Sequence, residues 1–235
     1  MKVTFLDKMG SDLTVVNAAR CSFKKRSDWA TFRDKDIYNC TESTFHLHEN
    51  DEKLINYLAK HKHWTPFAHP QIQLHYKVPL FVARQIFKHT VGFTRNEVSR
   101  RYVDEDPQFY VPDVWRKRNP DKKQGSLDEP AKMIIDIDQY YKLIGQAYNN
   151  MIKFDVAPEM VRMLMPQAMY TEFYETGSLY AYINMVKLRT SPDAQAEVRS
   201  VAEEVRAIIK QNFPVSYAAW FPEDTVKLGE GVFPV

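Results

Sequence analysis

The sequence predicts a single α/β domain of mixed type, in which a mixed or antiparallel sheet is packed by several helices. Three observations predict it. The chain has 235 residues, enough to bury a substantial core and suited to one domain over 1–235 rather than two small ones. Short alternating segments occur beside longer ones with helical periodicity, so strand and helix are mixed. Seven glycines, with no G-x-G-x-x-G and no G-x-x-x-x-G-K-[ST], exclude the Rossmann and P-loop nucleotide folds.

In chain order, "MKVTFLD" (1–7) reads as a short strand, and "DEKLINYLAKHKH" (51–63) as a helix with Leu54, Ile55 and Leu58 on one stripe. "QIQLHYKV" (71–78) alternates as a half-buried strand does. "PLFVARQIFKHT" (79–90) reads as a helix, with Pro79 at a first helical position and Leu80, Ala83 and Phe87 as its buried face. Residues 104–130 carry Asp, Pro, Lys and Gly around "WRKRNPDKKQGSLDEP" and read as an irregular polar surface segment. Helices are predicted over 131–154, over "PEMVRMLM" (158–165), over "SLYAYINMVKLR" (178–189) and over 192–212, with "MYTEFYETG" (169–177) as the non-helical break. The last helix follows Ser191 and Pro192 and repeats Ala194, Val198, Val201, Ala202, Val205, Ile208 and Ile209 at helical spacing.

Composition narrows the function classes. A net charge of +2 gives the whole chain no strong attraction to nucleic acid or to an anionic membrane. No run of eighteen apolar residues and no leader with a cleavage site is seen, so a cytoplasmic location is expected, without a membrane partner. Two cysteines, Cys21 and Cys40, form no disulfide framework and no C-x-x-C pair. Cys21, in "AARCSF", reads as a small buried hydrophobe, and neither cysteine has a neighbour that marks it as a nucleophile. The seven histidines cluster between 46 and 89, but His46/His48 and His61/His63 are spaced i,i+2. Zinc ligands on a helix need i,i+3 or i,i+4, so no metal site is expected.

"RQIFKHTVGFTRNEVSRRY" (84–102) concentrates five cations, a histidine and several hydrogen-bonding side chains behind an apolar run. On a helix over 79–90, Gln85, Lys88 and His89 would share a face at i, i+3 and i+4. Arg95, Asn96, Glu97, Ser99, Arg100 and Arg101 add groups that grip phosphate and read hydroxyl or amide edges. An exposed charged turn explains the pattern equally well. Arg162 sits in the apolar "MVRMLMP", where a buried guanidinium requires an anionic or carbonyl partner. Arg189 closes "INMVKLR", where it offsets the helix dipole by roughly 0.3–1 kcal/mol. Together these residues suggest an anion site assembled from distant segments.

At these residues the sequence resembles the flavin-dependent thymidylate synthases. "RQIFKH" and "TRNEVSRRY" match the two ends of the family's R-H-R-x-x-S-x-N-E-x-S-x-R-Y signature and its preceding R-Q element. "NAARCSF", "HWTPFAH" and the run from "VRMLMP" through "AQAEVR" match further motifs in order, from residue 17 to 199. The resemblance implies reductive methylation of dUMP to dTMP, with methylenetetrahydrofolate as carbon donor, FAD as hydride carrier and NADPH as reductant. It also implies a homotetramer with active sites between subunits. Gln85, Lys88, Glu97, Val98, Ser99, Arg100, Arg101, Arg162 and Arg189 would contact dUMP, with Arg189 catalytic at the pyrimidine edge. His63, Thr65, Lys88, His89, Thr90, Glu97, Ser178, Leu179, Tyr180 and Asn184 would contact FAD. The chain departs from the pattern at Lys88 and Thr90, which replace arginines, at Ser178, which replaces an asparagine, at Asp193, which stands where many members carry a histidine, and by one extra residue between His89 and Asn96. Two other readings stay open: a hydroxymethylating relative with the same nucleotide and flavin sites, and a surface that binds single-stranded nucleic acid through "FKHTVGFTRNEVSRRY" and "WRKRNPDKK".

Overall fold

The structure, a computed structural model, describes residues 1–31, 45–103, 105–121, 123, 125–133 and 135–226. The chain begins with β1 (Lys2–Met9), α1 (Asp12–Arg20) and a 3₁₀ turn at Cys21–Phe23, then β2 (Ala30–Thr31) and β3 (Phe45–His46), which pair with each other. Next come α2 (Glu49–Lys60), a 3₁₀ turn at Thr65–Ala68, β4 (Gln71–Pro79), α3 (Leu80–Ile86) and β5 (Phe93–Glu97). A ribbon of β6 (Arg116–Arg118) and β7 (Ser126–Pro130) precedes α4 (Ile137–Lys153), α5 (Pro158–Val161) and a 3₁₀ turn at Arg162–Leu164. The chain continues through β8 (Tyr170–Ser178), α6 (Leu179–Arg189), α7 (Ala196–Asn212), α8 (Pro214–Trp220) and α9 (Pro222–Val226).

The main sheet has the order β1-β4-β8-β5, and all its pairings are antiparallel. Alternation in β4 turns Ile72, Leu74, Tyr76 and Val78 inward and leaves Gln73, His75 and Lys77 on the other face. In β8 the inward positions are Thr171, Phe173, Glu175 and Gly177. The core on that side is completed by Val82, Ala83 and Ile86 of α3, Ile183 and Val186 of α6, and Val198, Val201 and Val205 of α7. β8 passes directly into α6 because the Ser178 side chain accepts a hydrogen bond from the Ala181 amide, at 3.2 Å, and caps the helix.

The structure corrects several sequence expectations. The helix expected over 79–90 ends at Ile86, and the chain turns through Gly92, at φ +80°, into β5. Lys88 and His89 therefore lie on a turn, and the charged "TRNE" is an edge strand paired with β8. The segment 104–130 is not wholly irregular, since it holds the β6–β7 ribbon. The helix expected from 131 starts at Ile137, where the Asp136 side chain accepts from the Gln139 amide at 3.0 Å. The last long helix starts at Ala196 rather than 192, because Ser191–Ala194 form a turn closed by an Ala194 N–H to Ser191 C=O bond of 2.9 Å. α2 ends at Lys60 rather than 63, where Lys62 takes a positive φ of 57° and the His63 amide donates to Leu58 C=O. Cys21 is exposed, not buried, because the 3₁₀ turn carries it past the packed face of α1. Cys40 lies outside the described residues. Arg162 is also exposed: the helix breaks to 3₁₀ at that residue, and Nε donates to the Glu159 C=O at 3.3 Å.

Candidate active site

β5 separates two cavities. At its C-terminal end a cavity of about 650 Å³ collects Glu97, Val98, Ser99 and Arg100 together with Arg162, beside Lys77 and Glu172 of the sheet. At its N-terminal end a cavity of about 740 Å³ collects Lys88, His89, Thr90, Ser178, Tyr180 and Asn184, beside Trp64 and Gly92. The strand between them spans roughly 13 Å from Phe93 to Glu97 at ordinary strand rise.

In the first cavity the backbone continues β5's pairing, with the Val98 amide donating to Glu172 C=O at 2.9 Å. Buried Thr171 donates its hydroxyl to Glu97 Oε1 at 2.7 Å, which fixes that carboxylate. Arg100 donates to the Glu105 carbonyl and lies 5.9 Å from the Tyr148 ring centroid. Ser99, Arg100 and Arg162 supply a hydroxyl and two guanidinium groups, a set that suits a phosphate.

Gln85 and Arg189 meet beside the second cavity. The Arg189 Nη2 donates to the Gln85 carbonyl at 2.8 Å, and Arg189 Nε donates to His89 Nε2 at 3.0 Å. His89 must be neutral at Nε2 to accept that bond. Burial, and then the charges of Arg189 and Arg95, push its pKa from 6.5 down to about 4. The arrangement fixes a half-buried guanidinium at the end of α6 with its plane already held on one side. Gln85 reaches in the other direction, its amide donating to Gln195 Oε1 at 2.7 Å.

Trp64 and Tyr180 stack with centroids 5.5 Å apart at the edge of the second cavity. Gly92 is required there: a Cβ on it would stand 3.0 Å from the Ala181 Cβ and 3.1 Å from the Ser178 Oγ, on a backbone already at positive φ.

The remaining candidates line neither cavity. Leu179 is fully buried, faces the core and donates its amide to Pro70 C=O. His63 is exposed beside Tyr57, at 6.0 Å between ring centroids, and Thr65 is exposed at the start of a 3₁₀ turn whose Pro66 and Phe67 are buried. Arg101 is exposed and bonds the Tyr102 hydroxyl at 2.7 Å. Lys88 and Glu97, each assigned to both nucleotide and flavin, lie at opposite ends of β5. Within one chain, then, the anion site expected from distant segments is two half-sites.

One contributor was missed from sequence. Glu175 is fully buried, receives Arg95 Nε and the Tyr76 hydroxyl, and ties β5 to β8 between the two cavities. Its signal was available: an acid at the inward parity of the "YTEFYETGS" strand.

Among the described residues no group of three His, Cys, Asp or Glu could hold a metal ion, and no helix is long and apolar enough to cross a membrane.

The profile of the family described as thymidylate synthase complementing protein matches residues 4–215. The chain belongs to this family. A flavin-dependent thymidylate synthase of Thermus thermophilus is 36% identical over 222 residues, covering 93% of this chain and 74% of the relative. One from Thermosipho africanus is 34% identical over 238 residues, covering 96% and 94%. Among solved structures, a UMP/dUMP methylase from Streptomyces cacaoi bound with 5-Br dUMP superposes with a TM-score of 0.72 at 25% identity, covering 94% of each chain. The same methylase bound with 5-Br UMP gives 0.74. The family's members are methyltransferase enzymes, and the mixed α/β fold with its antiparallel sheet is the fold of these neighbours.

Proposed function

We propose that this flavin-dependent thymidylate synthase family member methylates dUMP to dTMP, with methylenetetrahydrofolate as carbon donor, FAD as hydride carrier and NADPH as reductant. The observation that carries the reading is the Arg189 guanidinium, half-buried and held by Gln85 C=O and a neutral His89 beside the second cavity. Carbon 5 of uracil is a poor nucleophile. Thiol addition to the ring is one remedy, but exposed Cys21 lines neither cavity. A fixed cation at the ring's N3–carbonyl edge is another, because it stabilises the anion that develops there. Neutral His89 contributes by orienting Arg189 without adding a competing charge.

The second cavity fits a flavin. Its volume falls in the ordinary range for ligand pockets, and it offers an aromatic pair, the Thr90 and Ser178 hydroxyls, the Asn184 amide and the Lys88 ammonium. FAD, when bound, supplies the redox chemistry that the side chains lack. Ser99, Arg100 and Arg162 would take the nucleotide phosphate, and Glu97, held by Thr171, would accept from a sugar or base donor.

Because these half-sites stand at opposite ends of β5, the complete site is proposed to form between copies in a cytoplasmic homotetramer. Exposed Leu143, Met163 and Leu164 on the helices beside the first cavity supply apolar surface for such contacts. The Streptomyces cacaoi methylase, named for both UMP and dUMP, favours a second reading in which the ribonucleotide is also accepted. The test is a spectrum and a product. Purified protein should show flavin absorbance, oxidise NADPH only when dUMP or UMP is present, and yield a methylated pyrimidine by mass spectrometry. A colourless protein that refuses added FAD refutes the reading, and a hydroxymethyl product would replace it with the hydroxymethylating alternative.

A further inference from the structure

A third cavity of about 630 Å³ lies away from both half-sites, between α3, the ribbon segment, α4 and the start of α7. Its walls include Phe81, Tyr110, Trp115 and Tyr141, with Gln195 and Glu197 at one end. Phe81 and Tyr110 sit 5.8 Å apart between centroids, tilted by 55°. Trp115 remains 37% exposed, a large aromatic surface without a cover.

The Glu197 side chain is only 6% exposed. Its Oε1 accepts from Arg116 Nη2 at 2.6 Å, and Arg116 Nε also donates to Ser126 Oγ at 2.7 Å. Its Oε2 is buried and has no hydrogen-bond partner. Burial pushes the carboxyl up, but the bond from Arg116, the Glu197 backbone amide, the Arg116 charge and neighbouring Gln195 outweigh it, and the net direction is down. The result is an ionised carboxylate whose charge is already balanced and whose second acceptor is unused. Leaving a buried acceptor unpaired is unfavourable, so such an atom calls for a donor. Since Arg116 neutralises the charge, the donor that suits it is a neutral N–H rather than an ammonium. Tyr110, raised by burial and by the Glu197 charge, keeps its phenol proton and can donate to a ring acceptor.

We propose that this cavity binds a planar aromatic heterocycle that presents neutral N–H donors along one edge. The edge meets the Glu197 carboxylate, which Gln195 uncovers as its exposed side chain moves aside, and the ring faces lie against Tyr110 and Trp115. The pterin ring, through its 2-amino and N3–H groups, and adenine, through its 6-amino group, share this chemistry. The site stands on the geometry, and the choice of those two sources rests on the reaction proposed above. Gln195 also accepts the hydrogen bond from Gln85, so an occupant that moves Gln195 is felt at the Arg189 cluster.

Calorimetric titration tests this on the flavin-loaded protein saturated with dUMP. One arm uses 5-formyltetrahydrofolate and the other adenosine monophosphate. The expected result is saturable binding in at least one arm, weakened by about tenfold or more in Glu197→Gln, which turns a donor toward the donor edge, and by a similar factor in Trp115→Ala, which removes a stacking face and leaves the ion pair intact. Melting temperature and flavin absorbance of Trp115→Ala should match the parent. No binding in either arm overturns the proposal, as does binding with equal affinity in the parent and both variants. If the parent carries no flavin, the proposed reaction fails instead, and the same titration on the unloaded protein still reads the cavity.

Discussion

Replacing Arg95 with Met removes one half of a buried ion pair and keeps nearly the same side-chain volume. Glu175 is fully buried and the Arg95 side chain is only 14% exposed, so solvent does little to compensate the loss. Burial already raises the Glu175 carboxyl against the pull of Arg95, and without that cation it is left with neutral tyrosine hydroxyls, Tyr76 at 2.9 Å and nearby Tyr182. Breaking such a pair costs about 3–5 kcal/mol. For a domain of this size each kcal/mol shifts the melting temperature by about 2–4 °C, which gives a fall of roughly 6–20 °C. Adding Glu175→Gln to Arg95→Met removes the stranded charge while keeping an acceptor for Tyr76, and should recover most of the loss. Thermal unfolding followed by circular dichroism at pH 7 measures both. A single variant that loses less than about 1 kcal/mol, or a double variant no more stable than the single, would refute the reasoning.

Three further outcomes follow from the same geometry. Gly177→Ala places a Cβ inside the contact distance of the Phe93 ring, so it should displace β5, cost about 1–3 kcal/mol and loosen flavin retention; unchanged melting and absorbance would contradict this. His89 should titrate by NMR near pH 4 rather than 6.5. Because the unfolded chain takes up that proton and the native state does not, stability should fall as pH drops from 6.5 toward 4 and lose nothing further below, and a midpoint near 6.5 would be inconsistent. Cys21→Ala and Cys40→Ala should both retain turnover, whereas Arg189→Ala should abolish it with melting unchanged; a folded but inactive cysteine variant would point to a sulfur adduct.

Periodicity carried the parts of the fold where one face is buried. β4 alternates cleanly, and α6 and α7 place Ile183, Val186, Val201 and Val205 against the sheet. β5 could not be read that way, because its residues are polar and the charge of its inward group, Arg95, is paired with Glu175, eighty residues along the chain. The end of α2 was missed because a non-glycine residue, Lys62 at φ 57°, supplies the left-handed turn. Apolar flanks misled at Cys21 and Arg162: exposure there depends on where a helix breaks, and Met163 and Leu164 are left exposed with Arg162. The anion-binding residues in 84–101 and at Arg162 and Arg189 were legible from charge and spacing, whereas the flavin contacts at His63, Thr65 and 178–184 came from the resemblance. Their division between the two ends of one strand is a property of β5's pairing, which local sequence does not encode.

Co-expression of two inactive variants, Arg189→Ala and Arg100→Ala, tests most directly whether the half-sites unite between copies. In mixed oligomers a chain carrying Arg100→Ala still supplies an intact Arg189 cluster, and its neighbour supplies an intact phosphate grip. Random mixing should then restore dTMP synthesis to about a quarter of the parent level. A mixture as inactive as either variant alone, with mixed oligomers verified by mass, would place the whole site within one chain and contradict the account.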